Sequence, residues 1–83
     1  MIYRDIIRGK WEVQLTTHAI MRAKDKGIYP FMIYATIKGG RIKKFGKNYV
    51  KFIMNYKKGT VICVGERKSS NIIKILTVEC GSK

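Results

Sequence analysis

The chain has a single histidine, His18, and it stands four residues before Arg22 where an apolar-periodic stretch begins. Residues four apart on a helix share one face, with Cβ atoms about 6 Å apart, so the two side chains project together. An imidazole moves protons near neutral pH. A guanidinium stabilises a phosphate that gains charge in a transition state. The N–H groups and dipole of a helix N-terminus add attraction for an anion. RNA brings its own nucleophile, the 2′-hydroxyl, so this pair and one more proton carrier could cut it without a metal. Glu66, at the end of an apolar strand, is the candidate for that carrier, with Tyr49 and Lys51 as alternatives. Each residue also has a plainer reading. His18 fits a surface or capping histidine on a helix that packs through Ala19 and Ala23. Arg22 fits a solvated residue or a partner of Asp25, and Glu66 a salt bridge with Arg67 or Lys68.

The charge around this pair points to a polyanion. Eighteen Lys and Arg stand against five Asp and Glu in 83 residues, for a net charge of +13. From Lys26 to Gly65 there is no acid at all. Such a field repels itself in the folded state and attracts an anionic partner. Lys26 follows the candidate helix, and Lys43, Lys44, Lys47, Lys51, Lys57 and Lys58 fall on adjacent hairpins, interleaved with Phe45, Tyr49 and Tyr56. Lysines beside aromatics suit single-stranded RNA, whose bases stack while its phosphates are neutralised. RNA (or DNA) is the expected partner. Acidic lipid is a second, and an acidic protein, an antitoxin included, a third. Lysine also protects sheet edges from aggregation and is enriched in thermophilic proteins, so charge alone does not define a site.

Other function classes recede. No apolar run approaches the ~20 residues of a membrane span, and Arg4, Asp5 and Arg8 interrupt any leader-like apolar segment. A cytoplasmic location is expected, with no membrane association. No His/Cys cluster has metal-ligand spacing, so neither a metal nor a cofactor is expected. Cys63 and Cys80 fall in strand-like sequence. A hairpin through residues 68–71 sets Cys63 opposite a residue near Leu76, leaving the sulfurs about 13 Å apart, too far for a disulfide. Buried free thiols in a reducing compartment are the expectation. Oligomeric state stays open.

The elements that must position these residues are legible in outline. Ile2, Tyr3, Ile6 and Ile7 have helical spacing and Gly9 reads as a stop, which predicts a short amphipathic helix. Trp11–Leu15 alternates as an extended lead-in or short strand. Thr16 or Thr17 caps a helix reaching about Lys26, with Gly27 as its left-handed terminus and Ile28 folding back. Pro30 opens a second helix that ends at Gly39-Gly40. Strands follow over 41–45, 49–56, 60–66 and 71–80, the third almost continuously apolar, as if covered on both faces. The predicted class is α+β: one domain over 1–83, with short N-terminal helices followed by a four-stranded antiparallel sheet. Its core is small, because a chain this short buries only about 60–65% of its extended surface.

The run Leu15-Thr16-x-His18-Ala19-x-x-Arg22, then Lys26-Gly27-Ile28, a short helix, Gly39-Gly40 and a Gly46 hairpin resembles a small uncharacterised prokaryotic domain family. That family carries a His-Ala-x-x-Arg-Met-x-x-Arg-Gly-Ile helix and resembles the RelE and BrnT ribonuclease toxins, within the barnase–RelE-like fold. The likeness spans about residues 5–78. It implies that His18 and Arg22 are the motif's polar pair and that Lys26 stands at its second arginine. Ala23 replaces the motif's methionine, and Tyr29-Pro30-Phe31 replaces the Ser/Thr and acidic start of the second helix. The expectation is a toxin-type, metal-free endoribonuclease with His18, Arg22 and Glu66 as its chemistry. The alternative is a non-catalytic basic nucleic-acid-binding protein, since fold does not fix function.

Overall fold

The first segment is a strand, not the short amphipathic helix that the spacing of Ile2, Tyr3, Ile6 and Ile7 predicts, so strands rather than helices open the chain's described part. Its isoleucines and tyrosine favour a pleated surface, and Gly9-Lys10 turns the chain in two residues, with Gly9 at φ 60°, as tight hairpins require. Strand β1 (Ile2–Arg8) therefore pairs antiparallel with β2 (Trp11–Thr16), placing Arg8 opposite Trp11. Ile6 is buried while Ile7 is exposed, the period-2 alternation of a strand. The computed structural model describes the backbone of residues 2–57 and 59–81, and side chains from Asp5 onward within them.

Helix α1 (Thr17–Asp25) follows at once. Thr16 caps it: its Oγ1 accepts from the N–H of Ala19 at 3.2 Å and donates to the carbonyl of Ile75 at 3.2 Å. At the other end, Gly27 (φ 75°) lets the N–H of Ile28 reach the carbonyl of Ala23 at 2.9 Å. This satisfies a terminal carbonyl and tucks Ile28 into the core. Pro30, which needs no N–H partner at a first turn, opens helix α2 (Pro30–Gly39). Strands β3 (Arg41–Phe45), β4 (Tyr49–Tyr56), β5 (Gly59–Arg67) and β6 (Ile72–Gly81) complete the chain.

The architecture corrects the predicted four-stranded antiparallel sheet. Six strands form one mixed sheet in the order β1-β2-β6-β5-β4-β3. β3 to β6 do form an antiparallel meander. β2, however, adds to β6 in parallel, with Glu12–Leu15 beside Ile72–Ile75, and β1 extends it. The sheet is curled into a half-barrel. β2 and β3 are four places apart in strand order, about 19 Å across a flat sheet at ~4.8 Å per strand. Yet the Lys44 Nζ lies 5.6 Å from the ring centroid of Trp11. Helix α2 crosses the concave side and packs on β1, β4 and β5. Arg8 fastens its end, donating from Nη1 to the carbonyls of Ile37 (2.9 Å) and Gly40 (2.7 Å). Helix α1 packs mainly on β6, beyond the point where β2 stops pairing with it, and so covers an edge that would otherwise present bare backbone groups.

The core lies inside the curl. Ile6, Val13, Leu15, Ala19, Ala23, Ile33, Ile37, Phe52, Cys63, Ile73, Ile75 and Val78 are all closed to solvent. A bulge sets this register. Val64 pairs with Thr77 but Gly65 pairs with Ile75, so Leu76 is the extra residue. The parity of β6 flips there, and Ile73, Ile75 and Val78 all face inward. β5 is covered on one face only: Val61 and Cys63 are buried, while Ile62 and Val64 are half-exposed on the other side. That revises its expected burial on both faces.

Register also revises the cysteines. Cys63 pairs with Val78 and Cys80 with Val61, so the thiols are diagonal neighbours two residues apart, not four. Diagonal Cα atoms lie about 7–8 Å apart, still beyond ordinary disulfide reach, and both are free. Cys63 is buried and its thiol is pushed up to about 12 by desolvation, whereas Cys80 is exposed, contrary to expectation. A thiol reagent applied to the native protein is expected to label one cysteine per chain, and two after denaturation. Mass spectrometry of the labelled peptides would place the first label on Cys80. Native labelling of Cys63 at a similar rate would refute this packing.

Candidate nucleic-acid interface

Cross-strand pairing fixes which side chains share the uncovered convex face. Lys43 sits opposite Lys51, and Lys51 opposite Val64. One row along are Phe45, Tyr49, Glu66, Lys74 and Gln14, each opposite the next. On the other side run Arg41, Ile53, Ile62 and Glu79. Within this face the rings of Phe45 and Tyr49 stack at 5.4 Å between centroids. The ammonium of Lys51 lies over the Phe45 ring at 4.9 Å. Both rings stay more than a third exposed, Phe45 at 37% and Tyr49 at 40%. Lys43 and Lys51 are like charges directly opposed, an arrangement that costs stability. A sheet tolerates that best where an anion neutralises both.

Helix α1 forms the border of this face. His18 and Arg22 project together as their spacing requires, both exposed, with Arg22 Nε donating to His18 Nε2 at 3.3 Å. His18 shares a shallow recess with Thr16, Lys74, Ile75 and Leu76, so it stands next to the Lys74 end of the aromatic row. Lys26, one helical turn beyond Arg22, is engaged. Its Nζ donates to the carbonyl of Val78 and to Glu79 Oε1, each at 3.0 Å. The Lys26 bond and charge, the bond from the Thr77 hydroxyl and the nearby Arg22 charge hold the Glu79 carboxyl below its ordinary range. Lys26 thus shields the β6 edge and pairs with an acid.

The remaining candidates separate. Glu66 accepts from Lys68 Nζ at 2.9 Å, the local salt bridge its neighbours allowed. Glu66 and His18 are therefore each committed to a different partner. Lys44 projects from the opposite side of β3 to Lys43 and reaches Trp11 inside the curl. Lys47 lies in the turn after β3 and, with Lys44, lines a recess at one end of the half-barrel. Lys57 follows β4 at the opposite end, roughly 20 Å from Lys51 at strand rise. Lys58 lies outside the described residues.

Sequence reasoning missed Arg41, Lys74, Arg67 and Trp11. Lys74 could have been found by pairing it with Glu66 across the last hairpin. Trp11 and Arg67 become neighbours only through the parallel β2–β6 pairing and the curl, for which no local signal exists. Among the described residues no group of three or more His, Cys, Asp or Glu is placed to hold a metal ion. No helix among them is long and apolar enough to cross a membrane.

No protein-family model matches the chain, and no curated protein or solved structure matches it at a significant level.

Proposed function

We propose that this protein binds single-stranded nucleic acid, RNA foremost, across the convex face of its sheet. The observation that carries this is the exposed Phe45–Tyr49 stack with Lys51 over one ring and Lys43 alongside. Stacking on an aromatic platform is worth ~1–3 kcal/mol per base and tolerates any sequence, while lysines beside it neutralise phosphates. Lys74 and Arg22 extend the positive track toward α1. The half-exposed Ile53, Ile62 and Val64 give the face an apolar floor for bases and riboses. Fluorescence anisotropy with a labelled single-stranded RNA, titrated over a range of salt, is the test. Affinity should fall linearly in log K against log salt, by ~0.7 per phosphate contacted. Binding indifferent to salt, or equally tight to duplex DNA, would count against a single-strand platform.

A second reading is metal-free RNA cleavage at the edge of the same face, favoured by the exposed, hydrogen-bonded His18–Arg22 pair. His18 Nε2 accepts from Arg22, so that nitrogen can take the proton of a 2′-hydroxyl once Arg22 swings to the phosphate. The 2′-oxygen then bonds to phosphorus, and the bond to the 5′-oxygen breaks. A water gives a proton to that oxygen, and the imidazolium of His18 returns the proton it took to the hydroxide left behind. The products are a 2′,3′-cyclic phosphate and a 5′-hydroxyl end. An acidic antitoxin seated on this face would block both binding and cleavage. Incubation of the protein with RNA and chelator should yield cyclic-phosphate fragments, and His18→Ala should slow their release by ~100-fold or more. RNA left whole by the native protein, or cut equally by the variant, would remove this second reading.

A further inference from the structure

The curl creates a second cationic feature, separate from the convex face. At one end of the half-barrel Trp11, Lys44, Lys47, Asn48, Tyr49 and Arg67 converge on a recess of about 140 Å³. The turn after β3 is tied to β5 there, the N–H of Arg67 donating to the carbonyl of Asn48 at 2.6 Å. Three side chains carry positive charge, and none of the described lining residues is acidic. Glu66 and Glu12, the acids adjacent in sequence, belong to the opposite face, since buried Gly65 and Val13 alternate with them. Lys44 is held over the Trp11 ring, which keeps its ammonium at the recess. The volume is well below the ~300–1,000 Å³ of pockets that enclose a whole drug-sized ligand, so it suits one compact group of a larger molecule. Tyr49 belongs both to this lining and to the Phe45 stack.

We infer that this recess is a subsite for the terminal phosphate of the nucleic-acid strand whose end base rests on the Phe45–Tyr49 platform. The inference rests on the binding reading above. A phosphomonoester carries about −1.5 to −2 charge and three strong acceptor oxygens, against a single charge on a backbone diester. Three cationic residues lining one recess, Lys44 and Lys47 from the β3–β4 side and Arg67 from the end of β5, match the monoester better.

Trp11 is the chain's one tryptophan, so its emission reports on the recess directly in the intact protein. The probes are a short single-stranded RNA with a phosphorylated end, the same RNA with hydroxyl ends, and inorganic phosphate. The phosphorylated strand should bind about tenfold tighter than the hydroxyl-ended one. Only it and inorganic phosphate should change Trp11 emission, and inorganic phosphate should compete the tenfold advantage away. Arg67→Gln should abolish the advantage and leave hydroxyl-ended RNA within about twofold of its original affinity. Lys47→Gln, in an exposed turn, serves the same purpose should the first variant fail to fold. Lys43→Gln should weaken both strands alike. Equal affinity for the two strands, with Trp11 silent in inorganic phosphate, overturns the subsite while leaving the convex-face reading standing. If neither strand binds, the convex-face reading falls. A Trp11 response to inorganic phosphate that Arg67→Gln removes would then still sustain the recess as a phosphate site, and its absence would end it.

Discussion

Replacing Lys43 and Lys51 together by glutamate is expected to weaken binding of a short single-stranded RNA by about 100-fold and to flatten its salt dependence. The two ammonium groups sit opposite one another beside the Phe45–Tyr49 stack, so one strand crossing there meets both. Loss of two phosphate contacts should reduce the log–log salt slope by about 1.4, at ~0.7 for each contact to a single strand. The reversal also puts two carboxylates where the neighbouring phosphates would lie, which turns attraction into repulsion. Lys43 and Lys51 reach solvent from a strand pair whose packing lies on the other face, so the fold should survive, and relief of like-charge opposition should offset part of any cost. Lys57→Glu is the control. It changes charge by the same amount per residue at the far end of β4 and should cost less than about threefold with a probe of about four nucleotides. If Lys57→Glu matched a single reversal at Lys51, net charge would be the attraction and there would be no platform.

Two adjacent glycines should respond to alanine in opposite directions. A Cβ on Gly40 would run into the Thr36 carbonyl oxygen and lie 2.7 Å from that of Ile53. Both are backbone atoms that cannot swing aside, and Gly40 is also where Arg8 fastens α2 to the first hairpin. Gly40→Ala should therefore cost more than ~3 kcal/mol, a loss of more than about 12 °C in Tm for a domain of this size. A Cβ on Gly39 meets only the flexible end of Met54, at 3.5 Å. It adds a better helix former to the last turn of α2, so Gly39→Ala should hold or raise Tm by a few degrees, at ~0.5–1 kcal/mol. Thermal unfolding followed by circular dichroism reads both. Equal shifts in the two variants would mean that α2 and β4 do not approach as closely as described.

What could be read from sequence follows the range of the interactions. The helices were legible because their signals are local: Thr16 before an apolar stripe, Gly27-Ile28 after it, and Pro30 at a first turn. The β3–β6 meander was legible for the same reason, each turn marked by glycine or a polar cluster. β1 reads as a helix from sequence alone because Ile2, Tyr3, Ile6 and Ile7 satisfy a helical spacing as well as a strand composition. Gly9 also serves equally as a helix stop or a hairpin turn, and only pairing with β2 decides. The parallel junction of β2 with β6 had no herald at all, since its partners lie far apart in the chain. The site divides along the same line. His18 and Arg22 meet through one helical turn, and Lys43 and Lys51 through one hairpin. Adjacent lysines look alike in a sequence, so Lys44 groups there with Lys43, although the pleat sends the two to opposite faces. The neighbours Trp11 and Arg67 depend on the curl and left no trace in either segment.

Of the six strands, the one made last lies in the interior of the sheet. β6 is flanked by β5, which comes just before it in the chain, and by β2, whose Glu12 pairs with Ile72. Neither flank can close until β6 has been made, so contacts between remote parts of the chain must form late and together. Domains of this kind fold slowly compared with helical bundles of equal length. Until then the first hairpin and α1 wait with the apolar sides of Val13, Leu15 and Ala23 uncovered, an interval in which a chaperone would find its purchase.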